Sequence, residues 1–145
     1  MPRSVLKLAY TTVPATGSPA FPSQTEVHIP FLEVALEFGT KGFRTLGLVD
    51  SGAGYTFVPT DVANALGIDW KNCPTTPVHG VAGSGTGYAA DVRLVVIRAN
   101  HGWPARVVFT PGLDRHGCIL LGQIGFLDHC VVQFSARARE FKVTI

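Results

Sequence analysis

Residues 48–58 read Leu-Val-Asp-Ser-Gly-Ala-Gly-Tyr-Thr-Phe-Val. The single carboxylate of this run, Asp50, lies at a Gly-containing turn between two apolar stretches rich in β-branched residues. Such a turn presents an acid at the end of a strand instead of burying it. Gly52 allows a tight turn, and the Ser51 hydroxyl can hydrogen-bond across a close interface. We therefore expect Asp50 to face outward, where it is available for chemistry.

A second run, at residues 118–127, reads Cys-Ile-Leu-Leu-Gly-Gln-Ile-Gly-Phe-Leu and again leads an apolar strand into glycine. An Asp-Ser-Gly triplet alone often only makes a turn. Together, however, the two runs resemble the retropepsin-like aspartic proteases, most closely the single-lobe bacterial members. Those proteins carry an Asp-(Thr/Ser)-Gly-Ala loop, and two apolar residues followed by Gly near the C-terminus. The resemblance extends from about Phe31 to the last residue and leaves residues 1–30 uncovered.

The resemblance implies an all-β fold, a closed barrel of the acid protease type with one short helix, assembled as a two-fold homodimer. It implies an aspartic endopeptidase that acts on a peptide or protein substrate. Asp50 is then the catalytic acid of a loop completed by Ser51, Gly52 and Ala53. Ser51 would tie two such loops together, and Gly52 would offer its carbonyl to the substrate. Structural support behind Asp50 would come from Leu120, Leu121 and Gly122.

A glycine-rich connection lies between the two motifs. It joins two strand-like runs, residues 76–81 and 87–98, and its glycines make it mobile and sterically thin. Its position matches that of the substrate-covering flap in the resembled family. The predicted substrate-binding residues of this flap are Val81, Ala82, Gly83, Ser84 and Gly85. A nucleotide-binding loop is disfavoured, because Tyr88 stands where the motif needs glycine.

Gly54 departs from the family pattern and is also predicted to bind substrate. Many relatives carry a polar side chain at this position to hold the substrate main chain. Glycine leaves that part of a peptide to backbone and flap contacts, which predicts weak binding.

Aspartic proteases use two carboxylates that share one proton, and this chain offers one such loop. The second carboxylate is therefore expected from Asp50 of another copy across a two-fold axis. The other aspartates lack the Ser/Thr-Gly sequence of the loop: Asp61, Asp69, Asp91, Asp114 and Asp128.

The bulk properties predict one domain. A chain of 145 residues with 46% hydrophobic residues can bury a substantial core.

We assign residues 1–26 to an extended N-terminal arm, because residues 11–24 contain little to bury, and residues 27–145 to the protease domain. Residues 60–67 predict the short helix, with Thr60 as its N-cap.

Charge and hydropathy limit the partners. The net charge of +2 is small and scattered, which argues against nucleic-acid binding. No stretch reaches membrane-spanning length, and Lys7 interrupts the only apolar run near the N-terminus. The three cysteines cannot all pair within the chain, which favours a reducing compartment. We expect a cytoplasmic protein without membrane partners.

Other chemistries fit less well. A zinc site at His116, Cys118, His129 and Cys130 lacks the usual ligand spacing, so neither a metal nor another cofactor is expected. A serine hydrolase is disfavoured, because Ser84 has Ala82 where the nucleophile elbow needs glycine. The remaining alternative is a non-catalytic dimeric scaffold or peptide-binding module on the same fold.

Overall fold

The structure is a computed structural model that describes residues 3–80 and 83–145. Within these residues the chain is almost entirely β-strand, with one α-helix and several single 3-10 turns. The elements are β1 (Val5–Ala9), β2 (Thr11–Pro14), β3 (Glu26–Ile29), β4 (Phe31–Phe38), β5 (Lys41–Val49), β6 (Phe57–Val58), α1 (Thr60–Ala65), β7 (Thr75–Gly80), β8 (Gly83–Val96), β9 (His101–Phe109), β10 (Ile119–Leu121), β11 (Val131–Ser135) and β12 (Glu140–Thr144).

Six strands close into a barrel. They are hydrogen-bonded in the order β4-β5-β10-β6-β9-β8, and β8 pairs again with β4 through Leu36↔Leu94 and neighbouring residues. Inward-facing apolar side chains fill the interior, and Leu36, Val58, Leu94, Phe109 and Ile119 are fully buried. The predicted all-β fold with a closed barrel is confirmed. β7 lies outside the ring and pairs with β8 as a hairpin.

Two pairs of neighbouring strands in the barrel are parallel. β10 lies parallel to β5, with Leu121 opposite Val49, and β6 lies parallel to β9. Parallel neighbours need long crossover connections, which the stretches between these strands supply. The C-terminal ends of β5 and β10 therefore lie side by side, directly before Asp50 and Gly122.

The N-terminal residues differ from the expected extended arm. Residues 5–9 form β1, which pairs with β12 in a three-stranded sheet of order β1-β12-β11. Leu8 is buried in the core, whereas Lys7 is exposed, so the alternation of a half-buried strand extends into the predicted arm. β2 and β3 then form a separate hairpin with an exposed connection. The boundary expected after residue 26 falls within β3.

The predicted short helix is present as α1, which buries Val62 and Ala63 against the core. Its N-cap, however, is Pro59, and Thr60 is the first helical residue. Thr60 therefore does not occupy the capping position, and its hydroxyl donates to Asp114. Across the described ranges, no helix has the length and apolar character needed to cross a bilayer.

Candidate active site

Asp50 directly follows β5, at the end of the central parallel pair. Its backbone N–H donates to the Leu121 carbonyl at 3.0 Å, which continues the ladder between β5 and β10 by one residue. Because Val49 and Leu121 are buried, the backbone that carries the acid is fixed by the core. The Asp50 side chain is half-buried.

The turn after Asp50 fixes its side chain. Oδ1 accepts the Gly52 N–H at 2.9 Å, and the Asp50 carbonyl accepts the Ala53 N–H at 3.2 Å. Oδ2 has no hydrogen-bond partner within residues 3–80 and 83–145. One carboxylate oxygen is thus held by the loop and the other is available to a water molecule or a second carboxylate.

Gly122 brings the second motif against the first. A Cβ built at this position would lie 2.6 Å from the Ala53 carbonyl oxygen and even nearer to that of Tyr55. Only glycine allows so close a backbone approach. The Gly122 N–H donates to the hydroxyl of buried Thr56 at 3.3 Å. The two stretches that suggested the site therefore pack directly on each other.

Gln123 adds a side-chain contact to the loop. Its Nε2 donates to the Ser51 carbonyl at 2.7 Å, and its backbone N–H donates to the Ala53 carbonyl at 2.8 Å. Gln123 thus holds the loop from both sides of Gly52.

A cleft of about 830 Å³ opens above Asp50. Three regions line it: the Asp50 loop with β6 and β10 behind it, the β7–β8 hairpin, and a wall at residues 110–113. Within the described chain, Asp50 is the only carboxylate among the lining residues. They are Asp50, Gly52, Ala53, Phe57, Val78, His79, Gly80, Ser84, Gly85, Thr86, Tyr88, Thr110, Pro111, Gly112, Leu113 and Leu120.

The predicted site residues divide into four groups. Those that line the cleft are Asp50, Gly52, Ala53, Ser84, Gly85 and Leu120. Those placed beside or behind it are Ser51 and Gly54, both exposed, and Leu121 and Gly122, both buried. Gly83 begins β8 opposite Gly80. Val81 and Ala82 lie outside the described residues.

The hairpin is longer than its sequence predicted. Ser84, Gly85 and Thr86 were expected in the connection, but they belong to β8 and pair with His79, Val78 and Pro77. The reason is that glycine in an exposed ribbon still forms ladder hydrogen bonds, although it weakens the strand. The ladder extends to Gly80↔Gly83.

Sequence reasoning missed several lining residues. Phe57 and Tyr88 were read only as parts of strands, yet both line the cleft, and Tyr88 packs edge-on against Trp70 at 5.0 Å between ring centroids. The wall at residues 110–113 was also missed. Its signal was present in Pro111-Gly112, a turn dipeptide directly after a strand.

The residues weighed as zinc ligands are His116, Cys118, His129 and Cys130. Throughout the described part of the chain, no three His, Cys, Asp or Glu side chains are grouped as a metal ion would require. Burial raises the pKa of Cys118, and burial together with the Asp128 carboxylate raises the pKa of Cys130 to about 11. Both thiols are therefore harder to ionise than an exposed cysteine.

Comparison with known proteins supports the architecture. The sequence matches no protein-family model and no curated protein. Among solved structures, the chain is similar to a crystal structure of a retropepsin-like aspartic protease from Rickettsia conorii, with a TM-score of 0.62 over 98% of each chain and 13% sequence identity. The chain has the retropepsin-like fold. The structural match includes most of residues 1–30, which the sequence resemblance had left uncovered.

Proposed function

We propose that this protein is an aspartic endopeptidase whose active site is shared between two copies of the chain. The proposal rests on the position of Asp50, a half-buried carboxylate that lines a cleft of about 830 Å³. Its Oδ1 is held by the loop and its Oδ2 has no partner among the described residues. A retropepsin-like fold with an acid at this point supports hydrolysis of peptide bonds.

The cleft suits a peptide. Its volume lies within the range of roughly 300–1,000 Å³ typical of ligand sites. Phe57, Tyr88, Leu113 and Leu120 supply apolar surface for side chains. The edges of the β7–β8 hairpin and the Asp50 loop offer backbone groups to an extended main chain. We infer that the hairpin closes over the bound peptide and excludes water.

The chemistry requires a second carboxylate. Asp50 of a partner copy supplies it when two loops meet across a two-fold axis, with each Ser51 hydroxyl bonding to the opposite loop. Two carboxylates at close range hold one proton between them.

Each carboxylate then has a separate role. The ionised Asp50 takes a proton from water, whose oxygen attacks the peptide carbonyl carbon, while the protonated Asp50 donates to the carbonyl oxygen. The tetrahedral intermediate collapses with cleavage of the C–N bond and proton transfer to the leaving nitrogen.

Replacement of the acid tests the proposal. Purified wild type, Asp50→Asn and the control Asp61→Asn are each incubated with a diverse peptide library, and the products are mapped by mass spectrometry. Asp61 is exposed on α1, so its replacement removes the same charge away from the cleft. We expect Asp50→Asn to lose cleavage by at least about a thousandfold while remaining folded, because it removes the proton transfer and hardly changes volume. Residual activity of even a tenth would contradict the assignment.

The alternative makes a different prediction in the same assay. A non-catalytic peptide-binding module would retain peptides from the library on wild type and on Asp50→Asn alike, with no products from either protein.

A further inference from the structure

The cleft wall (residues 110–113) is a short excursion from the barrel. It leaves the end of β9, where the Thr110 N–H donates to the Val58 carbonyl at 3.0 Å. A single 3-10 turn comes next, in which the Leu113 N–H donates to the Thr110 carbonyl at 3.2 Å. The turn itself contributes little burial, since Pro111 and Gly112 are exposed. Burial of the turn alone therefore does little to hold it, so its hydrogen bonds to the rest of the chain matter for its position.

Asp114 provides that attachment. Its Oδ1 accepts the Thr60 N–H at 2.7 Å, and its Oδ2 accepts the Thr60 hydroxyl at 2.6 Å. Both carboxylate oxygens are thus used on one residue that lies 54 positions earlier in the sequence. Hydrogen bonds to an ionised group are short and about twice as strong as neutral ones.

Thr60 makes this contact difficult to replace. It is only 5% exposed, and both of its donors bond to Asp114. Loss of the carboxylate would leave two donors unsatisfied at a nearly buried position, which is costlier than loss of an exposed hydrogen bond. The barrel side of this contact is well packed, because Pro59 and Thr60, the two residues that follow β6, are both buried.

We propose that Asp114 is a positioning residue that holds the cleft wall in place and thereby sets how tightly the cleft binds a peptide. This inference rests on the proposed peptidase function. Asp114 is absent from the cleft lining, so it acts on bound peptide through residues 110–113 and takes no part in bond cleavage.

Kinetics provide the first test. In Asp114→Ala we expect KM for a cleaved peptide to rise about tenfold, because the wall is no longer held, with kcat within about threefold of wild type. Asp114→Asn keeps one acceptor oxygen, so its KM should lie between those of wild type and Asp114→Ala. The matched control is Asp61→Ala, since Asp61 accepts only the N–H of Val62 on its own helix. An unchanged KM, or a fall in kcat alone, would overturn the proposal.

Hydrogen exchange provides a test that does not require activity. Backbone amides of Thr60, Leu113 and Asp114 should exchange about tenfold faster in Asp114→Ala than in wild type or Asp61→Ala. If Asp114→Ala does not fold, Asp114→Asn and Thr60→Val are compared in its place. Equal exchange in all variants would overturn the positioning role. A wild type that cleaves no peptide would refute the proposed function, while the exchange rates would still decide whether Asp114 holds the wall.

Discussion

The sequence around Asp50 predicts some features of the candidate site but not others. The Asp-Ser-Gly turn predicts an outward-facing acid, and the structure places Asp50 half-buried in the lining of a cleft. The hydrogen bond from Gly52 to Oδ1 follows from the local turn. The contact of the loop with Gly122 joins residues about 70 positions apart, and periodicity gives no register for such a pair. Resemblance to a family suggested that pair.

Gln123 makes a side-chain hydrogen bond to the loop that was not predicted from the sequence. Its Nε2 fixes the Ser51 carbonyl at 2.7 Å, so Gln123→Leu should loosen the loop and lower kcat/KM about tenfold for a cleaved peptide. Gln133→Leu is the control, because Gln133 is exposed on β11. Equal kcat/KM values for the two variants would show that the loop does not depend on this hydrogen bond.

The raised pKa of Cys130 predicts that its thiol reacts slowly with alkylating reagents. Burial and the Asp128 carboxylate raise its pKa from 9.0 to about 11, so at pH 8 its thiolate is roughly a hundredfold scarcer than that of an unperturbed thiol. Alkylation of Cys130 by iodoacetamide, followed by mass spectrometry, should be correspondingly slow in the folded protein and fast in urea. Equal rates in both states would contradict the burial argument.

The same shift has a consequence for stability. Between pH 9 and about 11 the unfolded thiol loses its proton before the folded one does. The unfolded state then binds fewer protons, so this group lowers the free energy of unfolding as pH rises through that window. Well below pH 9 both states keep this proton, and the group contributes no pH dependence.

The β7–β8 hairpin was predicted from the sequence, but the ends of its strands were not. Two strands with a glycine-rich connection were predicted, but the ladder extends to Gly80↔Gly83. Strand ends depend on cross-strand pairing, which local composition does not specify. The glycines of the hairpin also differ in how closely other atoms surround them, which composition alone does not show. A Cβ on Gly87 would lie 2.8 Å from Val78 Cγ2, whereas one on Gly85 would meet no atom within 4 Å.

This difference predicts unequal effects of the same substitution. Gly87→Ala should lower the free energy of unfolding by about 1–3 kcal/mol, because the branched Val78 and Val108 side chains cannot move aside easily. Gly85→Ala should change it by less than about 0.5 kcal/mol. Both variants lose the same backbone freedom in the unfolded state, so urea denaturation compares the native contacts directly. Equal midpoints would show that the hairpin is not packed on β9 as described.

For the molecule as a whole, barrel closure was predicted from family resemblance and is confirmed. The participation of the N-terminus was not predicted. Residues 11–24 contain little to bury, whereas Leu6 and Leu8 in the preceding strand alternate with exposed residues, as in a half-buried strand. Their partner, β12, lies at the other end of the chain, so the sheet that joins the termini depends on tertiary pairing alone.

If two chains share one active site, both chains of a dimer must carry Asp50, and a subunit-mixing experiment tests this requirement. Wild type and Asp50→Asn are unfolded, mixed in equal amounts and refolded at a concentration well above the dimer dissociation constant. Peptide cleavage is then compared with wild type at the same total protein concentration. If both carboxylates are required, random pairing leaves about one quarter of the activity, because only wild-type homodimers are complete. Retention of about one half would instead show that each chain carries a complete site of its own.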